Sequence, residues 1–541
     1  MKKRSLIFLA LALAFTALMS VPWLVPYMGW TVLVGLLPLL VMERLATESK
    51  VKHFWWWHYG SFLLWNAVTT WWVGEATVGG AIFAILANAL QMSVVFGSFR
   101  WVKRRTAGVL PYLYLAAAWI AWERYYLTIA EISWPWLVLG NAFADTTGLI
   151  QWYSVLGALG GSLWVWASNL SLFGLMVALS DGRIATWNVK ARLAAFGGAV
   201  LAVFGPMLWS ACIRFEEEGK PLEVVIGQPN YDPYEKFESL TQEQQDRRFL
   251  TLLEGAEWTA PGPVLVLAPE TFTSRMFTDA VESHETFVRF QEFLQAHPQA
   301  TLVYGASSFE RRVSHAVPHR CAYDMGERPG GAHEWILTHN TAVLTDTSGR
   351  YSLYHKSKLV VGTELTPYPA FFIPLERLVA RMMGIQGSLM AKNVGQKEIA
   401  CLPFAPGDIG TAICYESVYG GFCAGYVRKG AKLLAVITND AWWGNTPGYR
   451  QHLNYSRLRA IETRRWVARC ANTGVSAFID PQGRVLARTP WWEPAILQGQ
   501  VQLLEGESFF VRYGDITGRA AVLLWALLLA AALFRGKNPK G

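Results

Sequence analysis

The sequence predicts a multi-pass α-helical membrane domain joined to a layered α/β domain. Hydrophobic residues make up 52% of the 541 residues and charged residues only 16%, against roughly 25% charged residues in ordinary soluble proteins. The mean hydropathy of +0.22 is nevertheless too low for a chain that lies in the membrane throughout. Long apolar stretches dominate before about residue 215, and short apolar runs alternate with polar stretches after it. The chain therefore contains two kinds of structure.

The membrane part is predicted from the length of its apolar stretches. A helix needs about 20 apolar residues to cross the hydrocarbon core. Seven stretches in the first part of the chain approach this length, and an eighth lies near the C-terminus. They cover residues 5–20, 23–42, 55–73, 79–99, 108–127, 147–179, 194–213 and 519–534. We predict a seven-span membrane domain over 1–215 and an eighth transmembrane helix over 519–535 with a cytoplasmic tail.

The orientation of these spans follows from their flanking charges, because cytoplasmic loops are enriched in Lys and Arg. With a cytoplasmic N-terminus, the inside segments carry sixteen basic residues, whereas the short outside loops carry only Arg124. The sixteen are Lys2, Lys3, Arg4, Arg44, Lys50, Lys52, Arg100, Lys103, Arg104, Arg105, Arg183, Lys190, Arg192, Arg535, Lys537 and Lys540. Both termini are thus predicted inside and the large segment 221–505 outside. The net charge of +8 reflects this topology, and we predict no nucleic-acid partner.

The N-terminal stretch allows an alternative interpretation. Lys2-Lys3-Arg4 followed by an apolar run also fits a cleaved signal peptide over residues 1–20. Its removal would leave an odd number of spans in the remaining chain.

Residues 221–505 have the pattern of an α/β domain. Seven short runs rich in Val, Ile and Leu are separated by polar, helix-like stretches. The runs cover 222–227, 263–268, 300–306, 341–346, 409–413, 433–438 and 475–480. Strands that are apolar on both faces indicate a covered sheet.

Helices and turns separate these strands. We predict one helix capped by Thr278 or Asp279, with Phe287, Phe290 and Leu294 on its buried face, and a second helix over about 450–468. The turn signals at 346–349 and 480–483 predict hairpins.

Three titratable residues follow predicted strands: Glu270, Lys356 and Cys414. Strand ends of α/β sheets are where reacting groups converge. A carboxylate can take the proton of a thiol, and a lysine can stabilise an oxyanion, so this set suits acyl transfer through a thioester. Each residue alone is weak evidence, because a Cys after a strand is usually a buried structural residue. Composition and spacing also do not distinguish Lys356 from Lys358, because both would point to the same face of a strand.

The cysteines give no sign of a metal site. All six lack CxxC spacing and a neighbouring Cys/His cluster, and they neither require nor exclude a disulfide.

Short motifs connect these residues to a known family. Val266-Leu-Ala-Pro-Glu-Thr271, Tyr354-His-Lys-Ser-Lys-Leu-Val360 and Ile413-Cys-Tyr-Glu416 resemble the three signatures of the carbon–nitrogen hydrolase (nitrilase) superfamily, in the same order. Thr438-Asn-Asp-Ala-Trp-Trp-Gly444 and Ala471-Asn-Thr-Gly474 are similar to the stretch that follows the cysteine in its membrane branch, the apolipoprotein N-acyltransferases. Seven spans before such a domain and one after it also match that branch.

The resemblance implies a nitrilase-like α-β-β-α sandwich and a set of residue roles. Glu270 would be the general base, Lys356 the oxyanion-stabilising lysine and Cys414 the nucleophile. The supporting positions are Glu364, Tyr415 and Glu416. One departure is that Val360-Val-Gly-Thr-Glu364 stands where many members carry a Pro-Phe-Gly-Glu-like run, which keeps the carboxylate but leaves the loop shape open.

The resemblance also implies a reaction and a location. A fatty acyl group would pass from a membrane phospholipid, through a thioester on Cys414, to the α-amine of the diacylglyceryl-modified N-terminal cysteine of an apolipoprotein. The implied location is the bacterial inner membrane, with the catalytic domain on the periplasmic side. No cofactor and no metal are expected.

Two other functions fit parts of the sequence. A membrane-tethered amidase or nitrilase would hydrolyse a small amide with the same triad, but eight spans exceed what a tether needs. A transporter or sensor with an inactive external domain is the second alternative, and the complete triad argues against it.

Two segments outside the motifs leave alternatives open. Residues 369–391 are rich in Phe, Leu and Met and predict either a core helix or a mobile arm that lies on the bilayer and admits acyl chains. Trp442 and Trp443 predict either a loop at the membrane interface or a packed core pair.

Overall fold

The computed structural model describes residues 2–215, 218–382 and 393–534. The chain divides into two compact units. The first comprises Met1–Phe215, Thr446–Asn454 and Tyr513–Gly541, and the second comprises Glu216–Asn445 and Tyr455–Arg512. The short segment Thr446–Asn454 therefore groups with the first unit, although it lies inside the predicted catalytic domain. Of the basic residues that predicted the topology, Arg535, Lys537 and Lys540 lie outside the described residues.

The first unit is helical. Its helices before the second unit are α1 (Lys2–Leu24), α2 (Val32–Gly35), α3 (Leu37–Glu48), α4 (Trp55–Thr70), α5 (Val73–Ala76), α6 (Val78–Lys103), α7 (Leu110–Thr128), α8 (Tyr153–Ser180), α9 (Arg183–Thr186) and α10 (Val189–Cys212). Buried amides join several of them: Asn88 of α6 donates to Asn66 of α4 at 2.7 Å, and Asn169 of α8 donates to the Val32 carbonyl at 2.8 Å. Such bonds satisfy polar groups where no water is present.

Six of the described helical segments are long and apolar enough to cross a membrane. They are Lys3–Leu24, Gly29–Glu48, Val78–Lys103, Tyr153–Ser180, Val189–Cys212 and Ile516–Phe534. The multi-pass membrane domain is thereby confirmed. Helices α4 and α7 occupy the two other predicted spans, but α4 has only 16 residues and α7 carries Glu123 and Arg124 among its 19. The count of eight spans stays a prediction.

The second unit is an α/β sandwich. Its strands are β1 (Gly219–Gln228), β2 (Val264–Leu267), β3 (Thr273–Phe277), β4 (Ala300–Ser314), β5 (Tyr323–Glu327), β6 (His333–Thr345), β7 (Tyr351–His355), β8 (Ile409–Ile413), β9 (Leu433–Thr438), β10 (Val467–Ala471), β11 (Ala477–Ile479), β12 (Val485–Arg488) and β13 (Ala495–Leu504). The later helices of the chain are α11 (Pro233–Glu238), α12 (Gln242–Leu253), α13 (Glu285–Ala296), α14 (Pro369–Met382), α15 (Gly420–Arg428), α16 (Pro447–Thr463), α17 (Phe509–Tyr513) and α18 (Ile516–Phe534).

The strands form two sheets. The larger has the order β13-β1-β2-β4-β6-β5, with β3 beside β4 and β7 beside β6, and the smaller has the order β12-β11-β10-β9-β8. Strands β1, β2 and β4 run parallel, as do β8, β9 and β10. The Sγ of Cys470 on β10 lies 3.4 Å from the carbonyl oxygen of Gly227 and 3.5 Å from that of Leu267, either of which can accept its S–H, so the two sheets pack face to face.

Helices cover the outer faces of both sheets. Phe249 of α12 and Phe290 of α13 pack into the core of the larger sheet with Val266 and Tyr304. On the smaller sheet, Tyr426 of α15 donates to the Thr411 carbonyl at 2.8 Å. The predicted α-β-β-α sandwich is confirmed, because strands with two apolar faces must be covered on both sides.

The predicted strands and hairpins agree with the structure. Each of the seven apolar runs coincides with a strand, and the turns at 346–349 and 480–483 connect the hairpins β6–β7 and β11–β12. Two helix ends were wrong. Helix α13 is capped by His284 rather than by Thr278 or Asp279, because residues 273–277 form a strand beside β4. Helix α16 ends at Thr463 rather than near 468, because the chain next enters β10.

The segment rich in Phe and Met begins with α14. Phe371 is 67% exposed and Leu378 is 55% exposed, so the described part of this segment is not a core helix. Met383, Leu389 and Met390 lie outside the described residues, and the mobile-arm interpretation stays a prediction.

Candidate active site

The candidate site lies where several strands of the second unit end. Glu270 follows β2, Cys414 follows β8, and Asn439 follows β9. The ends of β8 and β9 lie side by side, because the two strands are parallel neighbours. The end of β2 in the other sheet meets them, because the backbone N–H of Asn439 donates to Glu270. Lys356 enters from the end of β7. The strand-end placement expected from the sequence is therefore observed.

Glu270, Lys356 and Glu364 form a buried charge cluster. The Lys356 ammonium donates to Oε1 of Glu270 at 3.1 Å and to Oε1 of Glu364 at 3.2 Å. Lys356 is 1% exposed, and the Glu270 and Glu364 side chains are 8% and 14% exposed. Burial disfavours the charged ammonium, but the two carboxylates outweigh it, and the pKa of Lys356 lies well above its ordinary value. One cation is thus shared by two carboxylates.

Asn340 on β6 connects the members of this cluster. Its amide nitrogen donates to Oε1 of Glu270 at 2.8 Å and to Oε1 of Glu364 at 3.0 Å. Its backbone carbonyl accepts from the Lys356 backbone N–H at 2.8 Å. The motifs did not point to Asn340, which precedes the predicted strand 341–346 by one residue.

Glu270 is also fixed from its other side. Its Oε2 accepts from the Asn439 backbone N–H at 3.1 Å. Gly305 of β4 allows the backbone after β2 to come close, because a Cβ at that position would lie 2.4 Å from the Thr271 nitrogen and 2.6 Å from the Glu270 Cα. The carboxylate therefore has a single well-defined direction.

A second buried lysine lies beside Glu270. Lys236 of α11 is 5% exposed and donates to the Thr271 carbonyl and, at 3.4 Å, to the Thr271 hydroxyl. Thr271 has a left-handed φ of 47°, which costs energy in a residue other than glycine. Burial lowers the pKa of Lys236 to about 8, and the charge of Glu270 acts in the opposite direction. None of the motifs in the sequence includes Lys236.

Cys414 occupies a strained turn. Its φ is 51°, and its carbonyl accepts from the Ser417 hydroxyl at 2.7 Å. Loss of water around the sulfur raises the pKa of the Cys414 thiol, and Glu270 raises it further, whereas Lys356 and a hydrogen bond with Thr438 lower it. The resting group is therefore a thiol that needs a base.

Glu416 joins the lysine loop to the cysteine turn. Its Oε1 accepts from the backbone N–H groups of Ser357 at 2.6 Å and Lys358 at 3.2 Å, and its Oε2 accepts from the Ile413 N–H at 2.8 Å. Glu416 is fully buried, and burial raises its pKa to about 7, although these donors act in the opposite direction. It holds two segments of the site together.

The remaining candidates lie around this centre. The ring of Tyr415 packs edge-on against Tyr419. The Lys358 ammonium lies 5.3 Å from the centre of the Tyr419 ring, so Lys356, and not Lys358, joins the carboxylates. Trp442 is 40% exposed and touches Tyr234 edge-on, which is not the arrangement of a packed core pair. Among the described residues, no group of three or more His, Cys, Asp and Glu side chains could hold a metal ion.

The arrangement can perform thiol-based acyl chemistry. A carboxylate held by three donors lies near a protonated thiol, and a cation is available for an oxyanion.

Two family comparisons agree with the fold and the site. Residues 228–509, about half of the chain, match the carbon-nitrogen hydrolase family. The α/β sandwich and its buried charge cluster agree with this class of protein. Residues 15–171 match the apolipoprotein N-acyltransferase N-terminal domain.

Individual relatives extend the match over most of the chain. An apolipoprotein N-acyltransferase from Chlorobaculum tepidum is 28% identical over 93% of this chain and 91% of its own length. One from Bordetella bronchiseptica is 30% identical over 79% of this chain and 75% of its own. One from Gloeobacter violaceus is 28% identical over 95% of this chain and 92% of its own. The chain belongs to the apolipoprotein N-acyltransferases, within the carbon–nitrogen hydrolase superfamily, and is a membrane-bound acyltransferase.

Proposed function

We propose that this chain moves a fatty acyl group from a membrane phospholipid to the N-terminal amine of a diacylglyceryl-modified apolipoprotein, through a thioester on Cys414. The observation that carries the proposal is the buried cluster in which Lys356 and Asn340 hold Glu270 at the base of the cysteine turn. The proposed substrates are inferred from the family to which the chain belongs.

In the first half-reaction Glu270 takes the Cys414 proton as the sulfur attacks an ester carbonyl of the phospholipid. The S–C bond forms, and the Lys356 ammonium stabilises the oxyanion of the tetrahedral intermediate. The C–O bond then breaks, and Glu270 returns its proton to the departing oxygen. The products are an acyl-enzyme and a lysophospholipid.

In the second half-reaction the α-amine of the apolipoprotein attacks the thioester carbonyl. Glu270 accepts the proton that the amine loses, the N–C bond forms, and the C–S bond breaks. The thiolate regains its proton from Glu270, which restores the resting site. A large lipidated amine reaches the thioester slowly, so the acyl-enzyme must be protected from water.

Glu364 and Glu416 have positioning roles in this mechanism. Glu364 shares the cation of Lys356 and accepts from the Val360 N–H at 2.8 Å, which fixes the loop that departs from the family pattern. Glu416 orients the lysine loop and the cysteine turn through backbone N–H groups.

Mass spectrometry of the intact purified enzyme tests the proposal. With phospholipid alone, the enzyme should gain the mass of one fatty acyl group, in an adduct that hydroxylamine removes. A peptide with a free, diacylglyceryl-modified N-terminal cysteine should remove the adduct and gain the same mass. Cys414→Ala should form no adduct. Turnover of phospholipid to free fatty acid without an adduct, independent of the amine, would instead identify a hydrolase.

We further propose that the catalytic unit faces the periplasm from the inner membrane, on the basis of the sixteen-to-one distribution of basic residues. A reporter enzyme fused after Lys220 should report the periplasm, and one fused after Lys540 the cytoplasm. A cytoplasmic signal from the first fusion would overturn this topology.

A further inference from the structure

A second hydrogen-bonding group lies beside the Cys414 thiol. Ile413 of β8 and Ile437 of β9 are parallel neighbours, so the next residues, Cys414 and Thr438, lie side by side where the two strands end. In this position the Thr438 hydroxyl faces the Cys414 side chain and helps to lower the pKa of its thiol. Thr438 is fully buried, so its hydroxyl has no access to bulk water.

A buried ion pair holds the Thr438 hydroxyl. Thr438 Oγ1 donates to Oδ1 of Asp440 at 2.9 Å, and Oδ2 of Asp440 accepts from Nη2 of Arg469 at 2.5 Å. The Asp440 and Arg469 side chains are both 0% exposed. Arg469 lies on β10, the strand parallel to β9. The guanidinium thus fixes the carboxylate, and the carboxylate fixes the hydroxyl.

A hydroxyl carries one proton and can donate only one hydrogen bond at a time. While Thr438 donates to Asp440, its oxygen can only accept from the Cys414 S–H. When Glu270 has taken the thiol proton, the sulfur is an anion that needs a donor. Rotation about the Cβ–Oγ1 bond supplies one, and Asp440 keeps its bond to Arg469.

We propose that Thr438 is a further catalytic residue, which turns its hydroxyl from Asp440 to the sulfur of Cys414 whenever the thiolate forms. The Thr438 proton stays on its oxygen throughout, so no covalent bond changes. The thiolate forms when the phospholipid is attacked and again when the amine expels it, so the hydroxyl acts in both half-reactions. Asp440 and Arg469 are positioning residues. The inference rests on the proposed role of Cys414 as nucleophile.

The test compares three variants of the full-length protein in detergent. Thr438→Val removes the hydroxyl at nearly constant volume, and Thr438→Ser retains it. Thr411→Val is the matched control: Thr411 on β8 is 1% exposed, and its hydroxyl has no hydrogen-bond partner in the described part of the chain. Thr438→Ala serves as a second hydroxyl-free variant if Thr438→Val does not fold.

The main measurement is the rate at which iodoacetamide alkylates Cys414, followed by peptide mass spectrometry at several pH values. We expect the alkylation rate to fall about ten- to a hundredfold in Thr438→Val at each pH, because the variant loses a hydrogen bond to a charged sulfur. Thr438→Ser should stay within about threefold of the wild type, because it keeps such a bond, and Thr411→Val should be unchanged. The rate of acyl-adduct formation should fall in Thr438→Val by a similar factor.

Two results would overturn the inference: wild-type alkylation in Thr438→Val, or equal slowing in Thr438→Val and Thr438→Ser, which would assign the effect to packing. If the wild type itself forms no acyl adduct, the proposed function fails. The alkylation rates still decide the role of Thr438 in that case.

Discussion

Replacing Lys356 with methionine removes the one cation that two buried carboxylates share. Its ammonium lies 3.1 Å from Glu270 and 3.1 Å from Glu364. Breaking a buried ion pair by removing one partner costs about 3–5 kcal/mol. The two carboxylates, still joined through Asn340, are then expected to take up a proton, because like charges at close range cannot both stay ionised. A protonated Glu270 cannot accept the thiol proton.

Lys356→Met should lose more activity than protonation of the base Glu270 alone would cause, because the variant also lacks the ammonium that stabilises the oxyanion. Removal of one oxyanion-stabilising donor typically lowers the rate by about 10²–10³-fold. We therefore expect acyl-adduct formation, followed by intact-mass spectrometry, to slow by at least about 10³-fold in Lys356→Met. Lys358→Met is the matched control, because its ammonium lies over the Tyr419 ring, a contact of about 0.5–1 kcal/mol, whereas Lys356 donates to Glu270 and Glu364. It should stay within a few-fold of the wild type.

A double variant separates stability from chemistry. Lys356→Met combined with Glu364→Gln removes the cation and one of its carboxylates, and should recover most of the thermal stability without recovering the adduct. A double variant no more stable than Lys356→Met would refute the shared-cation argument. Wild-type adduct formation in Lys356→Met, or its loss in Lys358→Met, would refute the assignment of the lysine.

Three further predictions concern residues around this cluster. Asn340→Leu removes both donated bonds to the carboxylates and should slow adduct formation about ten- to a hundredfold; an unchanged rate would contradict a role in holding Glu270. The pKa of Glu416 is about 7 in the folded chain against an ordinary 4.5, so the folded state binds the Glu416 proton more tightly than the unfolded state does. The protonated Glu416 therefore contributes fully to the free energy of unfolding below about pH 4.5, and this contribution falls by about 3 kcal/mol as the pH rises through 7. Glu416→Gln should lose that part of the pH dependence in thermal unfolding, and an identical pH profile would contradict the prediction. Lys236→Gln keeps a donor for the Thr271 carbonyl and should slow adduct formation less than Lys236→Met, which removes it; equal rates in both variants and the wild type would exclude Lys236 from the site.

The sequence predicted the strands that are buried on both faces and missed several others. Strand β5 is exposed along its whole length, and β12 alternates between half-buried and exposed positions, so neither gives an apolar run. Strand β10 is fully buried but contains Arg469. A charged residue argues against a core strand until its partner is known, and Asp440 lies 29 positions away in the chain.

The motifs pointed to the candidate site residues but did not distinguish between the two lysines. They were expected to point to the same face of one strand, yet β7 ends at His355 and both lysines follow it. Past the strand end, the side chains no longer alternate with a fixed period. Glu416 draws the backbone N–H groups of Ser357 and Lys358 toward itself, and this loop geometry directs Lys356 to the carboxylates.

Asn340 shows why the rest of the site requires the three-dimensional structure. It pairs in β6 with Ser307 of β4, while its backbone carbonyl accepts from the Lys356 backbone N–H on the opposite side of the strand. The register of two strand pairs therefore decides that its amide lies between Glu270 and Glu364. Moving β6 by one residue would place a neighbour of Asn340 there and turn the amide to the other face of the sheet. An asparagine in a strand carries no local signal of such a role, since only the carboxylates that converge on it distinguish it from a solvated side chain.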